Sequence, residues 1–432
     1  MLTQEENELL IRTGPGTPMG EFFRRFWVPV ALAEEIPEPD CPPVRVRVLN
    51  EDLILFRDTE NKIGLIDAYC AHRFSPLFFG MNEESGLRCL YHGWKYDVTG
   101  QCVDIPFITE GATYKDKVQL KSYPALDKGG FIWAYMGPAE LQPPFPPFDF
   151  AAIPESHREN WKIICECNWL QSMEGQNDPS HGFFTHGFRD ITEGGPGVQM
   201  GLNNGNFLRQ VRLPGAVVDA EYGISWATVW PGDDSAEEQQ ISIGHFIIPN
   251  FDPSPAYNSP RQGKFPLGYQ RMRVPIDDVT CMVLRVRWNP YEPLKDEFRE
   301  AHNSWLIPEK LPGTYKPIAN KANDYLIDRE MQRTYNYSGI NNFPLQDICQ
   351  IEDQGGPIMD RTREKLTSQD TLNIHIRHQL IRGARDLMEG KEPAAPHRPE
   401  LFNVRSGNVT APRAKPLMDV LQDALRDLVP TS

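Results

Sequence analysis

Two short Cys/His pairs constrain this chain more than anything else in it. Cys70-Ala71-His72 is followed, after sixteen residues, by Cys89-Leu90-Tyr91-His92, with Gly93-Trp94 directly behind. Two thiols and two imidazoles in paired loops can hold one zinc ion. They can equally hold a [2Fe–2S] cluster in which two histidines replace two thiolates on one iron. Zinc ribbons usually pair two similar C-x2-C knuckles, whereas these pairs are unequal, C-x-H against C-x2-H. The alternation of Cys and His favours the iron–sulfur cluster. Loops of this kind sit at the tips of short strands, which supply a rigid platform.

A second stretch carries chemistry of another kind. Asn168-Trp-Leu-Gln-Ser-Met-Glu174-Gly-Gln-Asn-Asp178-Pro-Ser-His181-Gly-Phe-Phe-Thr-His186 packs two histidines, two carboxylates and an amide into otherwise apolar and small residues. On a helix, Glu174, Asp178 and His181 project from neighbouring turns of one face. Pro179 lacks an N–H and clashes with the previous turn, so the helix should break just after Asp178, with His186 delivered from the next segment. Two converging imidazoles with a carboxylate from elsewhere are the ligand set of a non-haem Fe(II) site with open positions. Histidines five apart are often unrelated, so this pair gains its meaning from the first motif.

Composition narrows the setting. The chain carries 59 acidic against 44 basic residues, a net charge of −15, which argues against a nucleic-acid partner. No stretch approaches the roughly twenty apolar residues of a membrane span. The acidic start, Met1-Leu-Thr-Gln-Glu-Glu-Asn-Glu8, is the opposite of a signal-peptide n-region. Eight scattered cysteines do not form a disulfide framework, and a reducing cytoplasm suits both free thiols and iron. At 432 residues, two or three domains are expected. Val44-Arg-Val-Arg-Val-Leu49 alternates at period two, and Leu53–Phe56 and Gly64–Asp67 follow closely as strands. The proline-rich Gln142–Phe148 reads as a stiff linker. Strands at 161–167, 207–212, 222–230, 240–248 and 281–288 suggest one curved antiparallel sheet. Cys165 and Cys167 would share a strand face and read as structural. Helices are expected at 347–354 and from Ser368 onward, with a surface wrap beyond 390 that ends in a short helix.

Taken together, C-x-H-x16-C-x2-H-G-W and N-W-x4-E-x3-D-x2-H-x4-H resemble the motifs of Rieske non-haem iron aromatic-ring oxygenases, oxygenase subunit. Gly14–Gly20 and Leu49–Asp58 add support, and the whole length is similar to the phthalate 4,5-dioxygenase-like group. The resemblance implies an α+β fold: an antiparallel-β Rieske domain plus a helix-grip catalytic domain, its curved antiparallel sheet covered by helices. Residues 1–34 would pack on the catalytic domain, 35–150 form the Rieske domain and 151–432 the catalytic domain. It implies one [2Fe–2S] cluster on Cys70, His72, Cys89 and His92, and one mononuclear Fe(II) per chain. The implied reaction uses O2 and electrons from a separate flavin/iron–sulfur reductase to dihydroxylate the ring of a carboxylated, phthalate- or benzoate-like substrate. Monooxygenation or O-demethylation of an aryl ether or lignin-type acid is the alternative. NADH would act only through that reductase, since the chain has no G-x-G-x-x-G at a strand-to-helix turn. A head-to-tail homotrimer, alone or stacked to a hexamer, is also implied. Asp178 would bridge His181 to a cluster histidine of the next subunit.

The third iron ligand of the family is an aspartate in a C-terminal helix, followed five residues later by a glutamate. Leu345-Gln346-Asp347-Ile-Cys-Gln-Ile-Glu352 matches at Asp347, with Asp353 and Asp360 as rivals. Asn168, Gln346 and Glu174 would then line the site behind its ligands. Arg209, Arg212, Arg285 and Arg287 are candidates to grip a substrate carboxylate, each also readable as a solvated strand-face residue. Where an arginine would be expected after Tyr222-Gly223, the chain has Ile224-Ser225-Trp226, so a monocarboxylate or a larger phenoxy acid fits as well as ortho-phthalate. Two other classes compete: an electron-transfer protein that has lost oxygen chemistry, and a zinc-stabilised binding protein. Decay of the second motif would mark the former, and a colourless protein the latter.

Overall fold

The computed structural model describes residues 2–107, 111–178, 180–189, 215–230, 237–253 and 268–428. The strand expected at 207–212, with Arg209 and Arg212, lies outside them. Thr3 opens helix α1 (Gln4–Ile11) with a reciprocal cap to Glu6, and Thr17 caps α2 (Pro18–Phe23). Both helices pack on the C-terminal half: Trp169 Nε1 donates to Leu10 O at 3.2 Å, and Phe23 meets the Trp169 ring edge-on at 4.8 Å. The next residues depart from the expected boundary at 34. Strand β1 (Trp27–Leu32) pairs antiparallel with Phe131–Tyr135, so the end of the N-terminal segment is built into a sheet with residues of the first half. Its six residues are all buried, a run that must be covered on both faces.

Three small antiparallel sheets make up the first half. β2 (Val44–Val48), β3 (Glu51–Arg57) and β4 (Ile63–Asp67) form a meander in which Val46 and Val48 are buried while Arg45 and Arg47 face water. β5 (Met81–Glu83), β6 (Gly86–Arg88), β7 (Lys95–Tyr96) and β8 (Cys102–Asp104) form the second sheet; β9 (Ala125–Lys128) and β10 (Phe131–Tyr135) join β1 in the third. The proline-rich stretch is no free spacer. Phe145 and Phe148 lie against Trp133 at 5.2 and 5.4 Å, and Trp27 Nε1 donates to Pro143 O, so aromatic burial straps it to the core.

Among the described residues, the second half carries one eight-stranded antiparallel sheet. β11 (Arg158–Cys165) is followed by helices α3 (Trp169–Gln176) and α4 (Gly182–Thr185), then by β12 (Ala216–Ala220), β13 (Gly223–Trp230), β14 (Glu238–Ile247) and β15 (Phe251–Pro253). β16 (Gly268–Asp277) and β17 (Thr280–Trp288) complete the spatial order β11-β17-β16-β15-β14-β13-β12. Beyond it come α5 (Asp296–Leu306), α6 (Phe343–Ile351) and the long α7 (Thr371–Met388). The tail does more than wrap the surface. β18 (Gly407–Pro412) pairs with β14, and α8 (Leu417–Leu428) covers that corner through Val420 and Leu421.

Candidate metal centres

The two Cys/His loops are structural twins. Cys70 N donates to Ser75 O and Phe74 N to Cys70 O; Cys89 N donates to Trp94 O and Gly93 N to Cys89 O. Each turn needs a left-handed residue at the same place, met by Gly93 at φ 77° and by Phe74 at φ 54°. Both thiols are 2% exposed, whereas His72 is exposed and His92 half-buried, with ring centroids 4.5 Å apart. Trp94 stacks on His72 at 4.6 Å and 4°. Tyr96, buried in the next strand, accepts from Ala71 N and places its hydroxyl 3.1 Å from Cys70 Sγ. Burial and that contact push the phenol up, so it keeps its proton and donates to the sulfur. The hydrogen bond from Cys70 in turn holds the Cys89 thiol below its ordinary range. Among the described residues, these four are not a group tight enough to share one ion. Thiols beneath and imidazoles above fit a two-iron cluster with unlike ends.

The other motif folds onto one point. Asn168 caps α3, the helix breaks after Gln176, and α4 carries the chain from His181 to His186. Asn342 caps α6, with Pro344 in its first turn, and that helix presents Asp347. The two helices touch closely: a Cβ on Gly175 would stand 2.8 Å from Ile351 Cγ2, an approach only glycine permits. Asp347 Oδ1 lies 3.3 Å from His181 Nε2 and 3.0 Å from His186 Nε2, and the three ligand atoms are within 4.8 Å of one another.

The imidazole protons can be placed from their partners. His186 Nδ1 is 2.8 Å from Gln346 Oε1, whose amide is oriented by Nε2 donating to Ile340 O at 2.8 Å. His181 Nδ1 meets the backbone carbonyl of Asp178. Both acceptors can only accept, so both Nδ1 atoms carry hydrogen and both Nε2 lone pairs face the carboxylate. Asp347 Oδ1 is buried without an aligned donor. Three lone-pair atoms converging on one another are stable only around a cation, and the site fits a ferrous ion. Without an ion, the site could keep its charge only by taking protons onto Nε2: burial raises the Asp347 carboxyl, and the two imidazoles so charged would hold it well below the usual carboxylate range.

The remaining expected residues divide. Gln346 sits behind His186, as described. Phe343, four residues before Asp347 on the same helix face, stacks on the His186 ring at 3.7 Å; that spacing was the signal available for it. Asn168 spends its amide elsewhere, donating to Ile11 O and Asp278 O and capping Leu170 N. Glu174 is a structural anchor: Arg361 and Arg377 both bind its carboxylate, at 2.8 and 2.6 Å, and Arg377 also grips Glu364. The Asp178 carboxylate accepts from Ser180 N and Oγ, while its carbonyl, not its side chain, takes the His181 proton. Asp353 pairs with Lys321 and Asp360 caps Thr362, both away from the triad. Arg285 and Arg287 are 5% and 3% exposed, so the solvated strand-face reading fails. Cys165 and Cys281 are opposed across β11 and β17, and all eight cysteines are free. An open cleft of about 770 Å³ runs past Phe184, Thr185, Tyr337, Ile340, Cys349 and Gln350.

Two family models match this chain: the Rieske [2Fe-2S] domain over residues 26–124 and the LigXa C-terminal domain like family over 134–406. The phthalate 4,5-dioxygenase oxygenase subunit of Pseudomonas putida is 35% identical over 88% of this chain and 86% of its own. The 3-chlorobenzoate-3,4-dioxygenase oxygenase subunit of Comamonas testosteroni is 29% identical over 96% of both chains. The 5,5'-dehydrodivanillate O-demethylase oxygenase subunit of a Sphingobium species is 30% identical over 99% and 89%. Among solved structures, dicamba monooxygenase bound to 3,6-dichlorosalicylic acid superposes with a TM-score of 0.60 at 16% identity, covering 85% of this chain and 98% of that one. The fold is thus that of dicamba monooxygenase, and the sequence relatives carry the rest. The chain is a member of the Rieske non-haem iron aromatic-ring oxygenases, an oxygenase subunit of the phthalate 4,5-dioxygenase-like group that uses a [2Fe–2S] cluster and a mononuclear iron.

Proposed function

We propose that this subunit oxidises an aromatic carboxylic acid by ring dihydroxylation, with electrons from a separate reductase. Cys70, Cys89, His72 and His92 hold the cluster, and His181, His186 and Asp347 hold the iron. When bound, the cluster supplies single electrons and the ferrous ion supplies oxygen activation. The observation that carries the reading is the triad: three converging lone pairs, Asp347 Oδ1 among them buried, with no counter-cation among the described residues. Gln346 keeps the His186 lone pair aimed inward, and Phe343 covers that ring against water. The curated relatives are named for phthalate and 3-chlorobenzoate, both carboxylated rings. Monooxygenation is the second reading, favoured by the 30% identity to an O-demethylase subunit along 99% of this chain.

Two features support a ring of copies. Tyr69, Phe74, Leu90, Tyr91 and Phe107 are exposed close in sequence to the cluster loops, Phe107 at 95%. Such an apolar collar beside exposed His72 needs a cover. A second copy, docked head to tail by its iron-bearing face, supplies one as a homotrimer, with Asp178 at the crossing. Eight free thiols suit the cytoplasm, and among the described residues no helix is long and apolar enough to cross a membrane.

The test is turnover by purified protein with a Rieske-type reductase and NADH on substituted benzoates, phthalates and aryl ethers. Coupled oxygen uptake and a cis-diol from an acid are expected. Turnover confined to substrates without a carboxylate refutes the aromatic-acid reading.

A further inference from the structure

One face of the sheet holds more buried positive charge than it balances. Register places Trp161, Arg285, Arg271 and Asp252 side by side across β11, β17, β16 and β15, with Glu159, Arg287 and Tyr269 in the next row. Arg273 lies two residues from Arg271, on the same face. This face is turned toward the iron-bearing elements. Arg273 Nε donates to Ser172 Oγ of α3 at 3.1 Å, and Arg287 Nη2 to Asn303 Oδ1 of α5 at 2.6 Å. Trp305, also on α5, lies 5.9 Å from Phe343, which covers His186.

Both carboxylates of the face are already committed. Asp252 takes Arg271 and Arg273, and Glu159 takes Arg287 with the Asn303 amide. Arg285, 5% exposed, has Tyr269 Oη at 3.2 Å on Nη1; among the described residues its Nε has no acceptor, and neither has Nε1 of Trp161 directly opposite it. A buried guanidinium without an anion carries a desolvation cost that no described residue on its own face returns. Two orphaned N–H donors beside one cation form the complement of a carboxylate, which offers two oxygens and one negative charge.

We infer that Arg285, flanked by Trp161 Nε1 and Tyr269 Oη, is the anchor for the carboxylate of the substrate. This deepens the aromatic-acid reading above and rests on it. Arg287 is excluded from the role by Glu159 and Asn303, and Arg273 by Asp252. A ring held by its carboxylate at this wall lies between the sheet and the helices that carry His181, His186 and Asp347. Recognition then comes from β17, not from the β13 position that carries Ile224-Ser225-Trp226.

The test compares acids with their neutral esters, using the metal-loaded enzyme with reductase and NADH: benzoate against methyl benzoate, phthalate against dimethyl phthalate. Losing a charge-assisted pair should lower the acid-to-ester ratio of kcat/KM in Arg285→Gln by about 10- to 100-fold, mainly through the KM of the acid. Arg285→Lys should fall between, because it keeps the charge and loses the fork. Iron content and the cluster spectrum report folding; where the glutamine variant loses its iron, the lysine variant is read instead. A ratio within about twofold of wild type in a metal-replete variant overturns the anchor and leaves the aromatic-acid reading standing. Wild-type enzyme that turns over the esters and neither acid overturns both.

Discussion

Removing the Gln346 carboxamide tests how the iron site is set. In the wild type, Oε1 accepts the Nδ1–H of His186 at 2.8 Å, and Nε2 donates to Ile340 O at 2.8 Å. Gln346→Leu keeps the bulk and deletes both bonds. The His186 Nδ1–H, on a side chain 4% exposed, is then buried without an acceptor at a cost of about 1–3 kcal/mol. The ring can escape that cost by moving its proton to Nε2, which occupies the lone pair the metal needs. Phe343, stacked at 3.7 Å and 16°, still holds the ring plane, so binding weakens without being abolished. Ferrous affinity should fall about 10- to 100-fold, equal to about 1.4–2.7 kcal/mol. Anaerobic equilibrium dialysis against Fe(II) reads the affinity, with the cluster absorbance as the folding control. Gln346→Glu is the companion: its carboxylate accepts the same proton but sets an acceptor oxygen against Ile340 O, so affinity should fall less than in the leucine variant. If the leucine variant binds Fe(II) within about threefold of wild type, the orienting role is refuted.

Tyr96→Phe deletes the hydroxyl that donates to Cys70 Sγ and should lower the cluster's reduction potential, since that bond favours the more negative reduced state; an unchanged potential in a redox titration counts against it. Glu174→Gln strips Arg361 of its carboxylate and should destabilise the protein by about 3–5 kcal/mol, seen as a lower urea midpoint; an unshifted midpoint shows that the ion cluster contributes nothing. His245 is fully buried and held down at about 4 by burial, so the unfolded chain takes up its proton first. Its contribution is full above about pH 6.5 and is lost as pH falls toward 4, by about 3 kcal/mol, and His245→Gln should show a shallower loss over that window; equal slopes dismiss the histidine. Asp178→Asn keeps an oxygen for Ser180 N and Oγ, so metal content should persist while oxidation of the reduced cluster slows by orders of magnitude; normal single-turnover rates exclude the bridging carboxylate.

What the sequence disclosed was whatever depends on local spacing. The Arg45/Arg47 alternation, the two cluster loops and the aspartate of α6 all follow from rules that act within a few residues; the helix break expected after Asp178 comes two residues earlier, after Gln176. Gln346 was found because it adjoins Asp347. Glu174 was misplaced because its fate depends on Arg361 and Arg377, 187 and 203 residues away. Asn168 is diverted by carbonyls of Ile11 and Asp278, again distant in sequence. Arg285 and Arg287 resemble solvated strand residues because charge signals exposure on average. Here α5, with Asn303 on Arg287, covers that face. The pairing of Trp27–Leu32 with Phe131–Tyr135 was not legible for the same reason: it is a contact across a hundred residues, which no local pattern announces.

The two imidazoles of the triad are held in unequal ways, and this has a consequence for how the site can respond. His186 is 4% exposed, stacked under Phe343 and tied to a side chain of α6, the helix that also presents Asp347. Those two ligands therefore move as one body, and α6 is locked to α3 by the contact at Gly175. His181 is 22% exposed, and its Nδ1 is tied to the backbone carbonyl of Asp178. A force applied at Asp178, such as a hydrogen bond drawn to its free carboxylate oxygen, reaches the metal site through His181 alone. It changes one ligand's angle or basicity and leaves the other two in place. A rigid His186–Asp347 wall with one adjustable imidazole lets an event at Asp178 tune the site without emptying it.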